Sequence, residues 1–83
     1  MVEQSDAPPK TTKGESRVRV TFNPSGNQDV DEIKAVAAAL IDRCGAINLP
    51  KDEEKQNEQK RLIALAQTAA EEAAMWGVKA ATI

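Results

Sequence analysis

Between Leu62 and Ala80, the residues Leu62, Ala66, Ala69, Ala73, Trp76 and Ala80 are spaced 4, 3, 4, 3 and 4. This run constrains the fold more than any other feature of the chain. An apolar residue every three or four positions places one stripe along an α-helix, and this alternation is that of a coiled-coil seam. Ile63 and Leu65 broaden the stripe. Further alanines (Ala64, Ala70, Ala74, Ala81) surround it and allow close helix–helix approach on several sides. Upstream, Lys51–Arg61 (KDEEKQNEQKR) is polar on every side and reads as a solvated helix end. Pro50 suits a first helical turn, and Asp52, Glu53 and Glu54 suit the positive end of the helix dipole. One helix over about 50–80 is expected, roughly 45 Å long at 1.5 Å per residue.

A second periodic run precedes it. Val30, Ile33, Val36, Ala37, Leu40, Ile41 and Cys44 define one helical face. Asn27 and Asp29 are both good N-caps, Glu32 completes a capping-box-like arrangement with Asp29, and Gly45 is a stop signal. This helix, over about 29–44, is roughly 24 Å long. With Ala46–Leu49 as connector, the two runs make an all-α helical hairpin of badly matched arms. Ahead of them, the alternation of Arg17, Val18, Arg19 and Val20 predicts a short extended segment, and Pro24-Ser25-Gly26 a turn. Residues 1–16 carry two prolines and no period, and are expected to be a disordered tail before a domain at 17–83.

Such a hairpin buries too little to offset a backbone entropy cost of ~1–2 kcal/mol per residue comfortably. The single Cys44 offers no internal disulfide and reads as a small buried hydrophobe. A compact homo-oligomer is therefore expected, with Trp76 and Met75 in core or interface packing.

Composition excludes much chemistry. The 83 residues include no histidine and no tyrosine, so a Ser-His-Asp or Cys-His site within the chain is impossible. Calcium-loop and P-loop spacings are missing, and no cofactor or metal is expected. The protein is not expected to be an enzyme. A net charge of −2 with mixed signs argues against coating DNA or RNA. No run approaches the ~18 apolar residues of a membrane span, and MVEQSDAPPK has no signal-peptide core, so a cytosolic location is the default.

A small anionic ligand needs only a few placed groups. Phe22 lies off the helical stripes, where it can staple the helix or stack on a flat ligand. Lys34 lies near a helix start whose backbone donors favour anions, and is alternatively a solvated lysine. Arg17 and Arg19 carry planar donors suited to phosphate. Lys79, alone on a small and apolar last turn, suits a helix C-terminus or a shared anion.

The motifs FNPSG, VDEIK, LAQT and AAMWGVKA together resemble the small helical-hairpin sponge proteins that phages use against CBASS immunity. The likeness covers roughly Arg17–Thr82. It implies a homohexamer that sequesters cyclic dinucleotides (cGAMP-like) and cyclic trinucleotides in separate inter-subunit pockets without cleaving them, in the cytoplasm of the infected bacterium. By this likeness Phe22 stacks on a base, or Arg19 does so in its place. Lys34 meets the phosphate side, Lys79 belongs to the second pocket, and Asn23 and Thr68 are further ligand contacts. The alternative from the residues alone is an oligomeric helical interaction protein with no small-molecule ligand.

Overall fold

In the computed structural model, which describes residues 11–83, the chain forms three helices. They are α1 (Lys13–Val18), α2 (Gln28–Gly45) and α3 (Glu53–Ala81). The fold is all-helical. The two long helices have 18 and 29 residues, so the expected hairpin of unequal arms is present. Asn27 rather than Asp29 caps α2, its side chain accepting from the Val30 N–H. Asp52 caps α3 by accepting from Glu54 and Lys55, which moves the start of that helix from the expected Pro50 to Glu53. Pro50 stays in the connector, where its carbonyl accepts from the Gln56 side chain.

The segment ahead of the hairpin differs from the expectation. Arg17 and Val18 are not extended but end α1, and Lys13–Ser16 belong to that helix rather than to a tail. The expectation for residues 1–10 lies outside the described residues. Thr12 and Glu15 form a capping box, with each side chain bonded to the other's backbone N–H. Arg19 then adopts a left-handed conformation (φ 55°, ψ 60°). Val20 donates to the Glu15 carbonyl and Arg19 to that of Ser16, which together make a Schellman termination.

A helix of six residues does not persist alone in water, so α1 depends on what it touches. The Gly14 N–H, unpaired within α1, donates to Asp42 Oδ1 at 2.7 Å. Lys13 Nζ reaches Gln67 Oε1 at 2.8 Å, and Arg17 pairs with Glu71 at 2.6 Å. Val18 is buried. Gly14 passes so close to α2 that a Cβ there would sit 2.8–2.9 Å from the Ala38 carbonyl carbon and Cα, and nearer still to its oxygen.

The core is small. Val18, Ala37, Ala38, Ile41, Ala70 and Ala74 form it, with Val20 and Ile33 packed on its edge. The face of α3 turned inward is thus Ile63, Gln67, Ala70 and Ala74, one residue on from the seam expected from the sequence. Gln67, 2% exposed, is satisfied there by donating to the Ile41 carbonyl and accepting from Lys13. The expected seam, including Leu62 and Trp76, faces outward, and Trp76 is 62% exposed. On α2, Val36 and Leu40 also leave the core, while Lys34 enters it. Cys44 is half-buried. An open apolar groove of about 370 Å³ runs between α2 and α3, lined by Ile33, Val36, Leu40 and Ala73 among others. No helix among the described residues is long and apolar enough to cross a membrane.

Candidate functional site

The connector from Arg19 to Asn27 is set by its own side chains. Asn23 Nδ2 donates to the Asn27 carbonyl and to Asp31 Oδ1, while its Oδ1 accepts from the Asn27 N–H. The Gly26 N–H bonds to the Asn23 carbonyl. Gly26 itself has φ +65°, a conformation glycine adopts without steric cost. The N–H groups of Gly26, Asn27 and Val30, which the sequence suggested as free donors for an anion, are therefore taken internally. The Asn23 amide is likewise committed to the loop. Asn27 Nδ2 donates to the Ala81 carbonyl and ties this end of α2 to the end of α3.

Three of the candidate residues come together. Lys34 is 7% exposed, neither solvated nor at the first turn of α2. Its Nζ donates to the carbonyl of Arg19 at 3.0 Å and to that of Phe22 at 2.6 Å. The same ammonium stands 5.4 Å from the centre of the Phe22 ring, and the Arg19 guanidinium carbon stands 5.9 Å from it. Both are within the distance at which a ring face attracts a cation. Phe22 remains 59% exposed, so one aromatic surface is open.

Arg19 and Lys34 line a cavity of about 250 Å³ with Arg17, Val18, Glu71, Ala74, Met75 and Val78. Arg17 and Glu71 were paired by no signal in the sequence, since 54 residues separate them. Arg17 Nε and Nη2 both donate to Glu71 Oε1, at 2.8 and 2.6 Å, and Nη2 reaches Thr68 Oγ1 at 3.4 Å. Thr68 thus stands beside the cavity through Arg17. The wall carries three cationic side chains and one carboxylate, and favours an anion. At about 250 Å³ the cavity falls below the ~300–1,000 Å³ of sites that enclose a whole ligand.

Lys79 is not part of this group. Its ammonium lies 5.7 Å from the Trp76 ring centre, on the outward side of α3. Among the described residues there is no cluster of three or more His, Cys, Asp or Glu side chains able to hold a metal ion.

The fold defines a helical-hairpin domain with a short docked helix, a cationic cavity at one end and a bare apolar seam along its longer arm. A family model described as Acb2/Tad1, hairpin domain, matches residues 13–82. The chain belongs to this family, the anti-CBASS sponge family that the sequence motifs resemble. The match begins at Lys13, the first residue of α1, so that helix is part of the domain. Among curated proteins and among solved structures, no match was found.

Proposed function

We propose that this protein binds and sequesters cyclic dinucleotides and cyclic trinucleotides without cleaving them, and so keeps CBASS effectors inactive in the cytoplasm of the infected bacterium. The observation that carries this reading is the gathering of Arg19, Phe22 and Lys34 beside a cavity shared with Arg17. A phosphodiester needs donors and positive charge, and a base needs an aromatic or guanidinium plane. Both are present within one connector. The open Phe22 face suits a base, and the Arg17–Arg19 wall suits phosphate.

The protomer supplies only part of such a pocket, and its size fits a phosphate better than a dinucleotide. A second subunit completes it. The outward seam of Leu62, Ala66, Ala69, Ala73 and Trp76, together with Val36 and Leu40, supports association into a homo-oligomer, for which a hexamer is the family-based expectation. In a two-fold arrangement each side chain is presented twice, matching the near-symmetry of a cyclic dinucleotide. Lys79 with Trp76 offers a separate cation and ring for the cyclic trinucleotide.

The test is thermal unfolding of the protein with 3′,3′-cGAMP and with a cyclic trinucleotide. A rise of several degrees is expected, since a ligand at 100 times its Kd adds about 2.7 kcal/mol. Release of intact ligand on denaturation is expected too, and turnover would make the protein a phosphodiesterase instead. The same exposed seam favours a second reading, an oligomeric interaction protein without a ligand. No shift across a panel of cyclic oligonucleotides, with an oligomer still present in solution, would establish that reading.

A further inference from the structure

We propose that the closed end of the hairpin carries a further ligand site, which takes an amphipathic monoanion: a short aliphatic chain ending in a carboxylate. At Gly45 the site lies three turns of α2, about 16 Å, beyond Lys34. It shares no residue with the cavity beside Arg19, and it is independent of the proposed binding of cyclic oligonucleotides.

The last residue of α2, Gly45, stands opposite Gln67, so α3 runs on past the end of α2 from Glu53 onward. The chain between the two helices folds back along this overhang. Gln56 and Gln59 of α3 donate from their side chains to the carbonyls of Pro50 and Asn48, both at 3.0 Å. This holds Ile47 and Leu49 beside Ile63, and the start of α1 adds Lys13. Together with Lys60 and Gln67 they line a cavity of about 370 Å³. Three separate parts of the chain build it, and hydrogen bonds of the fold itself hold each of them.

One wall is aliphatic, and Ile47 and Leu49 on it are exposed in the protomer. The polar side chains in the lining are Lys13, Lys60 and Gln67, and no carboxylate is among them. The Lys13 ammonium spends one of its three N–H donors on Gln67. Lys60 makes no ion pair among the described residues. An anion therefore gains two charged donors and meets no acid, while an attached apolar chain takes the aliphatic wall out of water. No aromatic side chain lines the cavity, so nothing there stacks on a base, and an aliphatic ligand is favoured over a nucleotide. The volume, near the low end of the ~300–1,000 Å³ that enclose a whole ligand, suits a chain of about six to eight carbons. The seam residues Leu62, Ala66, Ala69, Ala73 and Trp76 are not in the lining, so association along that seam does not use this wall.

The experiment titrates the full chain with hexanoate, octanoate and 1-octanol, each below the concentration at which it aggregates, and follows backbone amide shifts by NMR. Octanoate is expected to bind saturably and to move the amides of Gly45, Ile47 and Ala64 while those of Phe22 and Lys34 stay still. It should bind about fourfold tighter than hexanoate, the effect of half-burying two further methylenes. It should bind about tenfold tighter or more than 1-octanol, which has the chain without the charge. Lys60→Gln and Leu49→Ser should each weaken octanoate about threefold or more. Both side chains are exposed, so neither change threatens the fold. Equal affinity for octanoate and 1-octanol overturns the proposal, as does octanoate binding untouched by Lys60→Gln, because the ammonium groups would then select nothing. Shifts at Phe22 and Lys34, or spread along Leu62, Ala69 and Trp76, overturn it by placing the ligand elsewhere. Failure of all three probes to saturate the protein ends it outright.

Discussion

Replacing Gly14 with alanine tests how α1 is held, and through α1 how the site is built. The added Cβ would lie 2.8–2.9 Å from two backbone carbons of Ala38, where carbon atoms rest at about 3.5–4.0 Å. The obstacle is helix backbone, not a side chain that can rotate away. α1 must therefore retreat by roughly 1 Å. A retreat of that size breaks the 2.7 Å bond from Gly14 N to the Asp42 carboxylate, a loss of about 1.5–3 kcal/mol. It also partly uncovers Val18, whose full burial is worth about 1.5–3 kcal/mol. Alanine returns about 1 kcal/mol of helix propensity. The net expected loss is about 2–4 kcal/mol. It is bounded by the docking energy of α1, because the hairpin can survive when this helix leaves. Urea unfolding at fixed protein concentration measures the loss, and amide exchange at Val20 locates it, since that N–H closes the α1 terminus on Glu15. Ligand affinity should fall with it, because α1 carries Arg17 and leads directly into Arg19. A Gly14→Ala protein within about 0.5 kcal/mol of the original, the range of an ordinary surface change, would refute the reasoning.

Other outcomes follow from the same geometry. Arg19→Gly removes the left-handed arginine and should raise stability by up to about 1 kcal/mol in urea unfolding, yet weaken cyclic-dinucleotide binding by calorimetry. Gln67→Leu keeps the helix but removes the buried side-chain donor to the Ile41 carbonyl and the acceptor of the Lys13 ammonium. A loss of about 1–3 kcal/mol is expected in the same unfolding assay, and a neutral result would show that apolar packing alone sets the α2–α3 face. Trp76→Ala, at a site 62% exposed in the protomer, should reduce the mass seen by sedimentation while the helical circular dichroism per residue is kept.

The sequence reveals the hairpin because both arms carry strong local signals. Asn27 caps α2 as capping chemistry predicts, while Gly45 is the last residue of that helix and Ala46, not the glycine, is its C-cap. It misplaces the packed face of α3 by one position because the inward stripe contains Gln67. A glutamine counts as polar until its partners, the Ile41 carbonyl and Lys13, are known. It misses α1 for a related reason. Thr12-x-x-Glu15 is a visible capping box, but Gly14 looks like a helix breaker until Ala38 is placed against it, and the Arg-Val alternation suggests a strand. At the candidate site, the nearness of Phe22 and Lys34 follows from their short separation in the chain. The use of the ammonium does not, because it depends on where two backbone carbonyls point after a left-handed turn. The Arg17–Glu71 pair spans most of the domain and leaves no local trace.

The contacts of α1 also fix an order of events during synthesis. α1 leaves the ribosome before either long helix, yet Gly14 needs Asp42, Lys13 needs Gln67 and Arg17 needs Glu71. Six residues cannot stay helical while they wait. The packing of α1 on α2 becomes available as soon as that helix has formed, but its bonds from Lys13 and Arg17 wait for α3. The site completed by Arg17 and Arg19 is therefore assembled only once nearly the whole chain has been translated.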